Sequence, residues 1–379
     1  MKRRYLKRTI GILLMILIVA AYVHFMQENI TGLYNDSDCR IIKSYYLEEP
    51  DSLDAVVMGS SEIVNGYLAP EAYRTEGFTS APYAFSINSV LLWKYELREI
   101  ERTQQPQVLI IETNGALYEE TKYMKASYGI DMLIDCMPVT RNKLEAALAL
   151  SDEPLERMLP FIKYHYKWPE LRDLEDNTML MINKQGHARL RGSMSQLSRK
   201  RIALDKLRPH DQLTADLNPV AKEALADFLE ECRTSEIKHI VFVEYPHILN
   251  DGEKYARHMR ANSAEKMIRD AGFDYIDLSR DAEKIGLDYG TDFHDEDHVV
   301  VPGQVKTTRY LAGIISDRYV KKPGALTPEN RREWDESADI IKKYCKYYDN
   351  FNTGRDPYEK AGFKLLEERH IMEELEKID

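Results

Sequence analysis

The sequence is poor in cysteine and has no excess of positive charge, and each shortage limits what the protein can be. Its four cysteines are far apart and form no Cys-x-x-Cys pair, which argues against a zinc knuckle and a thioredoxin-like motif. Disulfides are possible in an exported chain of this length but are not required. The formal charge is −11. Because so acidic a chain repels phosphate backbones, we expect no nucleic-acid partner.

Internal repeats and low-complexity tracts are also missing, and the sequence has one long hydrophobic run, at residues 10–26. As a helix rising about 1.5 Å per residue, this run reaches roughly 26 Å, near the lower limit for crossing a bilayer once. Five cations precede it, namely Lys2, Arg3, Arg4, Lys7 and Arg8. This bias places the N-terminus in the cytoplasm and the rest of the chain outside. The alternative is a cleaved signal peptide, but no convincing small-x-small cleavage site lies near the end of the run.

Four strand-like segments alternate with helical stretches. The first three have nearly continuous apolar centres, which is typical of strands buried on both faces, while the last alternates and is expected nearer an edge. Such alternation predicts an α/β fold with a flavodoxin-like parallel sheet flanked by helices. The four segments are residues 53–59, 107–113, 239–246 and 273–279.

The remaining pattern suggests how the chain is divided. A helical insertion rich in aromatic and basic residues is expected to interrupt the α/β domain. A linker and a charged helical extension are expected to follow that domain. The expected parts are a cytoplasmic tip and transmembrane anchor at 1–26, a juxtamembrane segment at 27–50, the domain at 51–320 with its insertion at about 121–217, and the C-terminal extension at 321–379.

The first strand-like segment ends on Gly59, Ser60 and Ser61. In open parallel sheets, ligands bind beyond the carboxyl ends of the strands. A serine at this point can present its hydroxyl at the mouth of a site, and a flexible glycine allows a tight turn into the next helix. The alternative is that a serine only caps that helix, since serine is a favoured N-cap residue.

A second stretch favours the functional interpretation. Asp295 and His298 stand three apart, just before the final helix expected in the domain. A nucleophilic serine needs a neutral imidazole to take its proton, and the imidazole needs a carboxylate to fix its tautomer. An Asp-x-x-His sequence alone is common and usually a surface pair. Combined with a strand-end serine, it predicts a catalytic triad of Ser61, His298 and Asp295.

The Gly-Ser-Ser-Glu sequence at 59–62, with Asp-x-x-His at 295–298, resembles the SGNH (GDSL-type) hydrolase superfamily. The first block of that family reads Gly-Asp-Ser, so the resemblance implies Ser61 as nucleophile, with Ser60 in the place of the aspartate. The Gly-Ser-Ser-Glu variant is similar to that of the membrane-anchored D protein of teichoic-acid D-alanylation and of related envelope proteins of Gram-positive bacteria. That D protein and related envelope proteins have one N-terminal helix and an exterior SGNH-like domain.

The resemblance also implies an oxyanion hole. The second block of the family normally offers a glycine N–H, whereas this chain has Ser86 and Asn88 and no glycine there. The third block usually supplies an asparagine, for which Asn114 is the candidate, although a turn-forming Asn-Gly pair explains it equally well. We therefore expect three sources of donors, namely the backbone N–H of Ser61, the region of Asn88, and Asn114.

Weaker candidates lie elsewhere in the chain. Glu244 and His247 end the third segment and could line the same mouth, but a hydrogen-bonded loop histidine is the simpler explanation. Aromatic and basic side chains of the insertion could stack on sugar rings or contact hydroxyls and anionic groups, although aromatics at this spacing are more often core packing. These candidates are Tyr164, Tyr166, Trp168, Arg189 and Arg191.

Together these patterns predict a membrane-anchored, extracytoplasmic SGNH-like acyltransferase or esterase that acts on cell-envelope polysaccharide without a metal or cofactor. Ser61 would be acylated and would pass the acyl group to a carbohydrate hydroxyl or to water. The resemblance implies a membrane-bound O-acyltransferase as partner. The alternative is a non-catalytic SGNH-like scaffold or polysaccharide-binding protein. The missing glycine favours that alternative, and the intact serine and Asp-x-x-His oppose it.

Overall fold

The computed structural model describes residues 2–29, 37–165, 190–193, 212–249 and 252–352. In this part of the chain, five strands form one sheet with the order β2-β1-β3-β4-β5, and every neighbouring pair is parallel. This is the flavodoxin-like order, in which the strand sequence reverses between β1 and β3. The predicted α/β fold is confirmed. The strands are β1 (Ala55–Gly59), β2 (Ser80–Ala84), β3 (Val108–Glu112), β4 (His239–Glu244) and β5 (Asp274–Asp277).

Helices connect the strands and flank the sheet. Before β3 these are α1 (Lys2–Asn29), α2 (Ser37–Tyr45), α3 (Ser61–Gly66), α4 (Ala69–Glu76) and α5 (Trp93–Thr103). Between β3 and β4 they are α6 (Thr121–Met124), α7 (Ser127–Cys136), α8 (Arg141–Leu150), α9 (Pro154–Met158), α10 (Pro160–Lys163) and α11 (Pro219–Thr234). After β4 they are α12 (Gly252–Asp270), α13 (Ala282–Ile285), α14 (Val301–Arg318) and α15 (Pro328–Asn352).

β2 is a strand that the sequence pattern did not predict. Its sequence, Ser-Ala-Pro-Tyr-Ala, contains Pro82 and no β-branched residue, and among the described strands it pairs only with β1. A proline is tolerated in an edge strand because its missing N–H can face away from the neighbouring strand. β5 occupies the other edge, as its alternating pattern predicted.

The core surrounds the central strands, and every residue of β1 and β3 is buried. Helix α2 contributes Cys39, Ile42 and Tyr45 to the same core. Helix α2, which lies in the juxtamembrane segment expected at 27–50, therefore packs against the sheet. The described helices within the expected insertion are α6 to α10. The domain boundaries stay predictions.

Two terminal helices differ in their surroundings. The apolar side chains of α1 are exposed, and its stretch Arg4–Phe25 is long and apolar enough to cross a membrane. The orientation of that span stays a prediction. Helix α15 packs on the domain through Trp334, which is buried and has its ring centroid 5.2 Å from that of Tyr73 on α4.

Candidate active site

β1 ends at Gly59, where it lies beside the end of β3. A Cβ atom on Gly59 would lie 2.4 Å from Cγ1 of Ile63 and 2.7 Å from Cβ of Glu112. Because Gly59 does not have a left-handed φ, close packing requires the glycine here, whereas the sequence suggested backbone flexibility. The glycine lets the segments after β1 and β3 approach each other at the point where the strand order reverses, which is where open parallel sheets bind ligands.

The two serines after Gly59 have different surroundings. Ser60 is buried and is the N-cap of α3. Its Oγ accepts the N–H of Glu62 at 3.4 Å, and its own N–H donates to Oε2 of Glu112 at 2.9 Å. Ser61 is the first residue of α3 and is half-buried. The capping explanation therefore holds for Ser60, and the hydroxyl of Ser61 is left for another partner.

That partner is His298. The Nε2 atom of His298 lies 2.8 Å from Oγ of Ser61, and its Nδ1 atom lies 2.8 Å from Oδ1 of Asp295. Both distances are hydrogen-bond distances, and the contacts run in the serine–histidine–carboxylate order of a triad. The structure thus brings together three side chains from two distant parts of the chain.

The histidine loop is held by its own backbone and by the helix that follows it. Oδ1 of Asp295 also accepts the backbone N–H groups of Asp297 and His298, each at 2.9 Å. On α14, Oγ1 of Thr308 accepts the N–H of Leu68 at 3.0 Å, just after the end of α3. The helix after His298 is therefore tied to the segment that carries Ser61.

The pKa values of the pair are shifted in opposite directions. Burial acts to lower the pKa of His298, but the hydrogen bond and charge of Asp295 outweigh burial and raise it above its ordinary value. Burial acts to raise the pKa of Asp295, but the hydrogen bond and charge of His298 outweigh it and lower that pKa. Asp295 is thus ionised at neutral pH, and His298 becomes neutral only on the alkaline side of its ordinary pKa.

The block-two region differs from what the sequence suggested. Nδ2 of Asn88 donates to the carbonyl oxygen of Gly59 and to Oε2 of Glu96, both at 3.0 Å, so both side-chain N–H donors are used inside the protein. The backbone N–H of Ser86 is bonded as well. The remaining candidate donor of Asn88 is its backbone N–H.

Between these two residues, Ile87 has a φ of 59°. This left-handed conformation favours glycine and is unusual for a β-branched residue. Such strain often accompanies functional sites. No direct sequence signal indicated this conformation at Ile87, and the sequence showed only that the family's usual glycine is missing from the region.

Asn114 follows β3 and is half-buried. Its Nδ2 atom lies 3.4 Å from Oγ of Ser60, the neighbour of Ser61. Its Oδ1 atom faces the guanidinium of Arg257 on α12. The asparagine amide therefore lies between the serine turn and a cation. This cation is a site residue that the sequence pattern did not indicate, since one basic residue among several in a charged helix carries no distinctive signal.

A buried charged cluster adjoins the triad. His247 is buried, with Nδ1 3.2 Å from Oδ1 of Asp297 and Nε2 3.4 Å from the carboxylates of both Glu62 and Glu244. Burial and the charge of Arg257 act to lower the pKa of His247, but its carboxylate neighbours raise it to about 10. Glu244 and His247 thus form part of an internal network, as the simpler of the two sequence interpretations held.

Another carboxyl near this cluster stays protonated at neutral pH. Burial, with a contribution from the charge of Glu62, raises the pKa of Glu112 to about 8, even though the N–H of Ser60 donates to it. The network behind the serine turn therefore includes a neutral acid.

The described insertion candidates have internal partners. The buried Tyr164 donates its hydroxyl to Oδ2 of Asp135 at 3.0 Å. Arg191 is also buried, with Nη1 3.1 Å from Glu48 and its guanidinium 4.4 Å from the ring centroid of Trp334. Both side chains are therefore bonded inside the protein, and their contact with a sugar stays a prediction. The other predicted sugar-binding residues lie outside the described residues, and they are Tyr166, Trp168 and Arg189.

The strand order and the serine–histidine–aspartate contacts define an α/β protein with a triad where the strand order reverses. No protein-family model matches the chain, and no curated protein matches it. A matching solved structure is that of a protein from Parabacteroides merdae ATCC 43184 described as a "putative GDSL-like lipase". The two chains are 12% identical, and the match covers 78% of this chain and 99% of that chain with a TM-score of 0.31. Similarity at this level does not establish a family, and the fold assignment rests on the strand order itself.

Proposed function

We propose that this protein is an SGNH-like serine esterase or acyltransferase. The observation that carries the proposal is the 2.8 Å contact between Oγ of Ser61 and Nε2 of His298, with Asp295 bonded to the other ring nitrogen. The Gly-Ser-Ser-Glu and Asp-x-x-His sequences support the same assignment through their resemblance to the superfamily. A non-catalytic scaffold would not need a half-buried serine hydroxyl in hydrogen-bond contact with an imidazole that an aspartate orients.

In the proposed reaction, His298 takes the proton of Ser61 as Oγ attacks the acyl carbonyl of an ester. The tetrahedral oxyanion is bound by the N–H of Ser61 and by Nδ2 of Asn114, and one well-placed donor is worth about 3 to 4 kcal/mol. The intermediate collapses to an acyl-serine, and His298 returns the proton to the departing alcohol. His298 then deprotonates a carbohydrate hydroxyl or water, which attacks the acyl-serine. The second tetrahedral intermediate releases the acylated sugar or free acid as the bond to Oγ of Ser61 breaks, and His298 returns the proton to that oxygen.

The proposed substrate is cell-envelope polysaccharide outside the membrane, which would be the acceptor in acyl transfer or the acylated ester in hydrolysis. The cations that precede the apolar stretch of α1 support an exterior domain. An exterior domain anchored close to the bilayer would meet envelope polymers. A membrane-bound O-acyltransferase that exports acyl groups is the proposed partner in transfer. The polysaccharide substrate and the O-acyltransferase partner are both proposed from the resemblance to the superfamily.

The test compares two adjacent serines in the full chain, purified in detergent. A fluorophosphonate probe should label the wild type and Ser60→Ala, because the hydroxyl that lies beside His298 belongs to Ser61 and not to Ser60, but it should not label Ser61→Ala. Labelling that persists in Ser61→Ala would show that the assigned nucleophile is wrong. A folded wild type that resists the probe would favour the scaffold instead.

Transfer and hydrolysis are separated in a second assay. The protein is incubated with p-nitrophenyl acetate in the presence and absence of oligosaccharide acceptors. Acetylated sugar formed at the expense of free acetate indicates transfer, and free acetate alone indicates hydrolysis. Ser61→Ala is the control in each case.

A further inference from the structure

We infer that Arg257 is a positioning residue for the oxyanion hole, which fixes the orientation of the Asn114 amide. This inference rests on the proposed function, because it concerns the donor that would bind the oxyanion. Arg257 lies on α12, far in sequence from both the serine turn and the asparagine, and its side chain is 12% exposed. It does not reach the reacting atoms, and it acts through Asn114.

The geometry at Asn114 leaves one orientation of the amide. Oδ1 of Asn114 accepts Nε of Arg257 at 3.1 Å and Nη2 at 2.9 Å. A guanidinium has only donors, so the amide atom that faces it must be the oxygen. The NH₂ group is thereby turned to the other side, where Nδ2 lies 3.4 Å from Oγ of Ser60. That contact is longer than the usual 2.7–3.2 Å range, so it holds the donor only loosely.

The guanidinium is itself held in place. Its Nη2 atom lies 2.8 Å from Oε1 of Glu62, and its Nη1 atom lies 3.4 Å from Oε1 of Glu244. Both carboxylates are buried, and a planar fork between two carboxylates has little freedom to rotate. Because Glu62 directly follows Ser61, the same cation ties the nucleophile's helix to the turn that carries Asn114.

The cation also strengthens the donor. A hydrogen bond to the amide oxygen polarises the amide group, so its N–H groups become better donors to a developing negative charge. Without Arg257, the Asn114 amide could turn over and present its oxygen to the oxyanion, which would be repulsive. Arg257 would thus affect acylation in two ways, by orienting the amide and by polarising it.

A purely structural role makes a different prediction. If Arg257 only neutralises Glu62 and Glu244, its replacement weakens the fold and slows Ser61 by a factor that does not depend on Asn114. If it acts through Asn114, its effect disappears when the amide is removed. A double-mutant cycle distinguishes the two cases.

The experiment measures the second-order rate of Ser61 modification by a fluorophosphonate in the full chain. Asn114→Ala should lower the rate roughly 10²-fold to 10³-fold. Arg257→Lys, which keeps the charge but loses the fork, should lower it roughly 10-fold to 10²-fold. In the Asn114→Ala background, Arg257→Lys should change it by less than about two-fold. An equal loss in both backgrounds would overturn the inference, whereas an unreactive wild type would overturn the proposed function.

A second variant leaves Arg257 intact, in case Arg257→Lys does not fold. Asn114→Asp keeps the oxygen that faces the fork and loses the N–H donors. It should react at least as slowly as Asn114→Ala, because the second carboxylate oxygen repels the oxyanion, and it should melt at the same temperature or higher, because the new carboxylate pairs with Arg257. Melting below Asn114→Ala would show that the guanidinium does not hold this position.

The matched control lies beside the edge strand β5. Arg280 pairs with Glu265 at 2.8 Å, and its Nη2 donates to Oδ1 of Asn262 at 2.7 Å. It therefore makes the same kind of arginine–asparagine contact without touching Asn114. Arg280→Lys should leave the modification rate within about two-fold of the wild type. A loss as large as that of Arg257→Lys would indicate a general effect of weakened packing and would overturn the inference.

Discussion

Two histidines near the ends of the strands are each hydrogen-bonded to an aspartate, and the two aspartates stand two residues apart in one loop. Nδ1 of His298 lies 2.8 Å from Asp295, and Nδ1 of His247 lies 3.2 Å from Asp297. The side chain of His298 is 22% exposed and its second nitrogen faces Ser61. The side chain of His247 is 2% exposed and its second nitrogen faces two carboxylates.

The difference shows that a histidine–aspartate pair does not by itself mark a catalytic base. Its carboxylate neighbours keep His247 protonated at neutral pH, since its pKa is about 10, and a protonated imidazole cannot accept a proton from serine. His298 has one paired carboxylate and a hydroxyl instead, so it can lose its proton and regain it during a reaction. Under the proposed function, burial and the third partner of each histidine therefore decide which pair would take part in the reaction and which would stabilise the fold.

The largest expected effect comes from breaking each pair in turn. His298→Ala removes the base and should lower the rate of Ser61 acylation roughly 10⁴-fold to 10⁶-fold.

His247→Gln removes a buried cation from between carboxylates and should lower the free energy of unfolding by about 3 to 5 kcal/mol, with a much smaller effect on acylation. The p-nitrophenol burst and denaturant unfolding measure the two quantities. If the folded His247→Gln protein loses acylation and His298→Ala keeps it, the two roles are reversed.

The triad could be predicted from the sequence because its parts carry local signals. Ser61 follows a clear strand, and Asp295 and His298 form a short motif before a helix. Strand β2 gave no such signal, since Pro82 and small residues are poor strand formers. The sequence predicts that Gly59 serves as a flexible turn residue. Its actual role in close packing could not be predicted, because only the folded structure shows how close β3 lies.

The buried region could not be predicted for a different reason. The contacts of Arg257 with Glu62 and Asn114 join three segments that are distant in sequence. Their meeting depends on how α12 packs against the end of the sheet, and no local pattern encodes that. For the same reason, the sequence could not tell whether His247 faces the site or the interior.

A smaller effect on acylation is expected when the aspartate of each histidine–aspartate pair is replaced. Asp295→Asn should lower the acylation rate roughly 10²-fold to 10⁴-fold, because an amide no longer favours the required tautomer. Asp295 also raises the pKa of His298, so its loss should move the pH midpoint of acylation to lower pH. Asp297→Asn should shift this midpoint less, since Asp297 is hydrogen-bonded to the ring of His247 instead. A midpoint that stays unchanged in Asp295→Asn would contradict the pairing.

The smallest expected effect concerns the pH dependence of the buried region, read in stability and not in rate. The pKa of Glu112 is raised by burial to about 8 in the folded protein, so the folded state holds a proton that the unfolded chain releases near pH 4.5. The stabilisation is therefore complete at low pH and is lost as pH rises from about 5 to about 8, at about 1.4 kcal/mol per pH unit.

Glu112→Gln is the variant that isolates this titration, because glutamine can still accept the N–H of Ser60 but cannot ionise. Unfolding free energies of the wild type and the variant, measured at pH 5.5 and 7.5, should diverge, with the wild type losing more as pH rises. His247 begins to contribute a loss of the same sign above pH 6.5 in both proteins, so the difference between them reports Glu112 alone. Parallel curves would contradict a protonated Glu112. They would mean that Glu112 is ionised in the folded protein and that its charge is balanced by the cations that pair with Glu62 and Glu244.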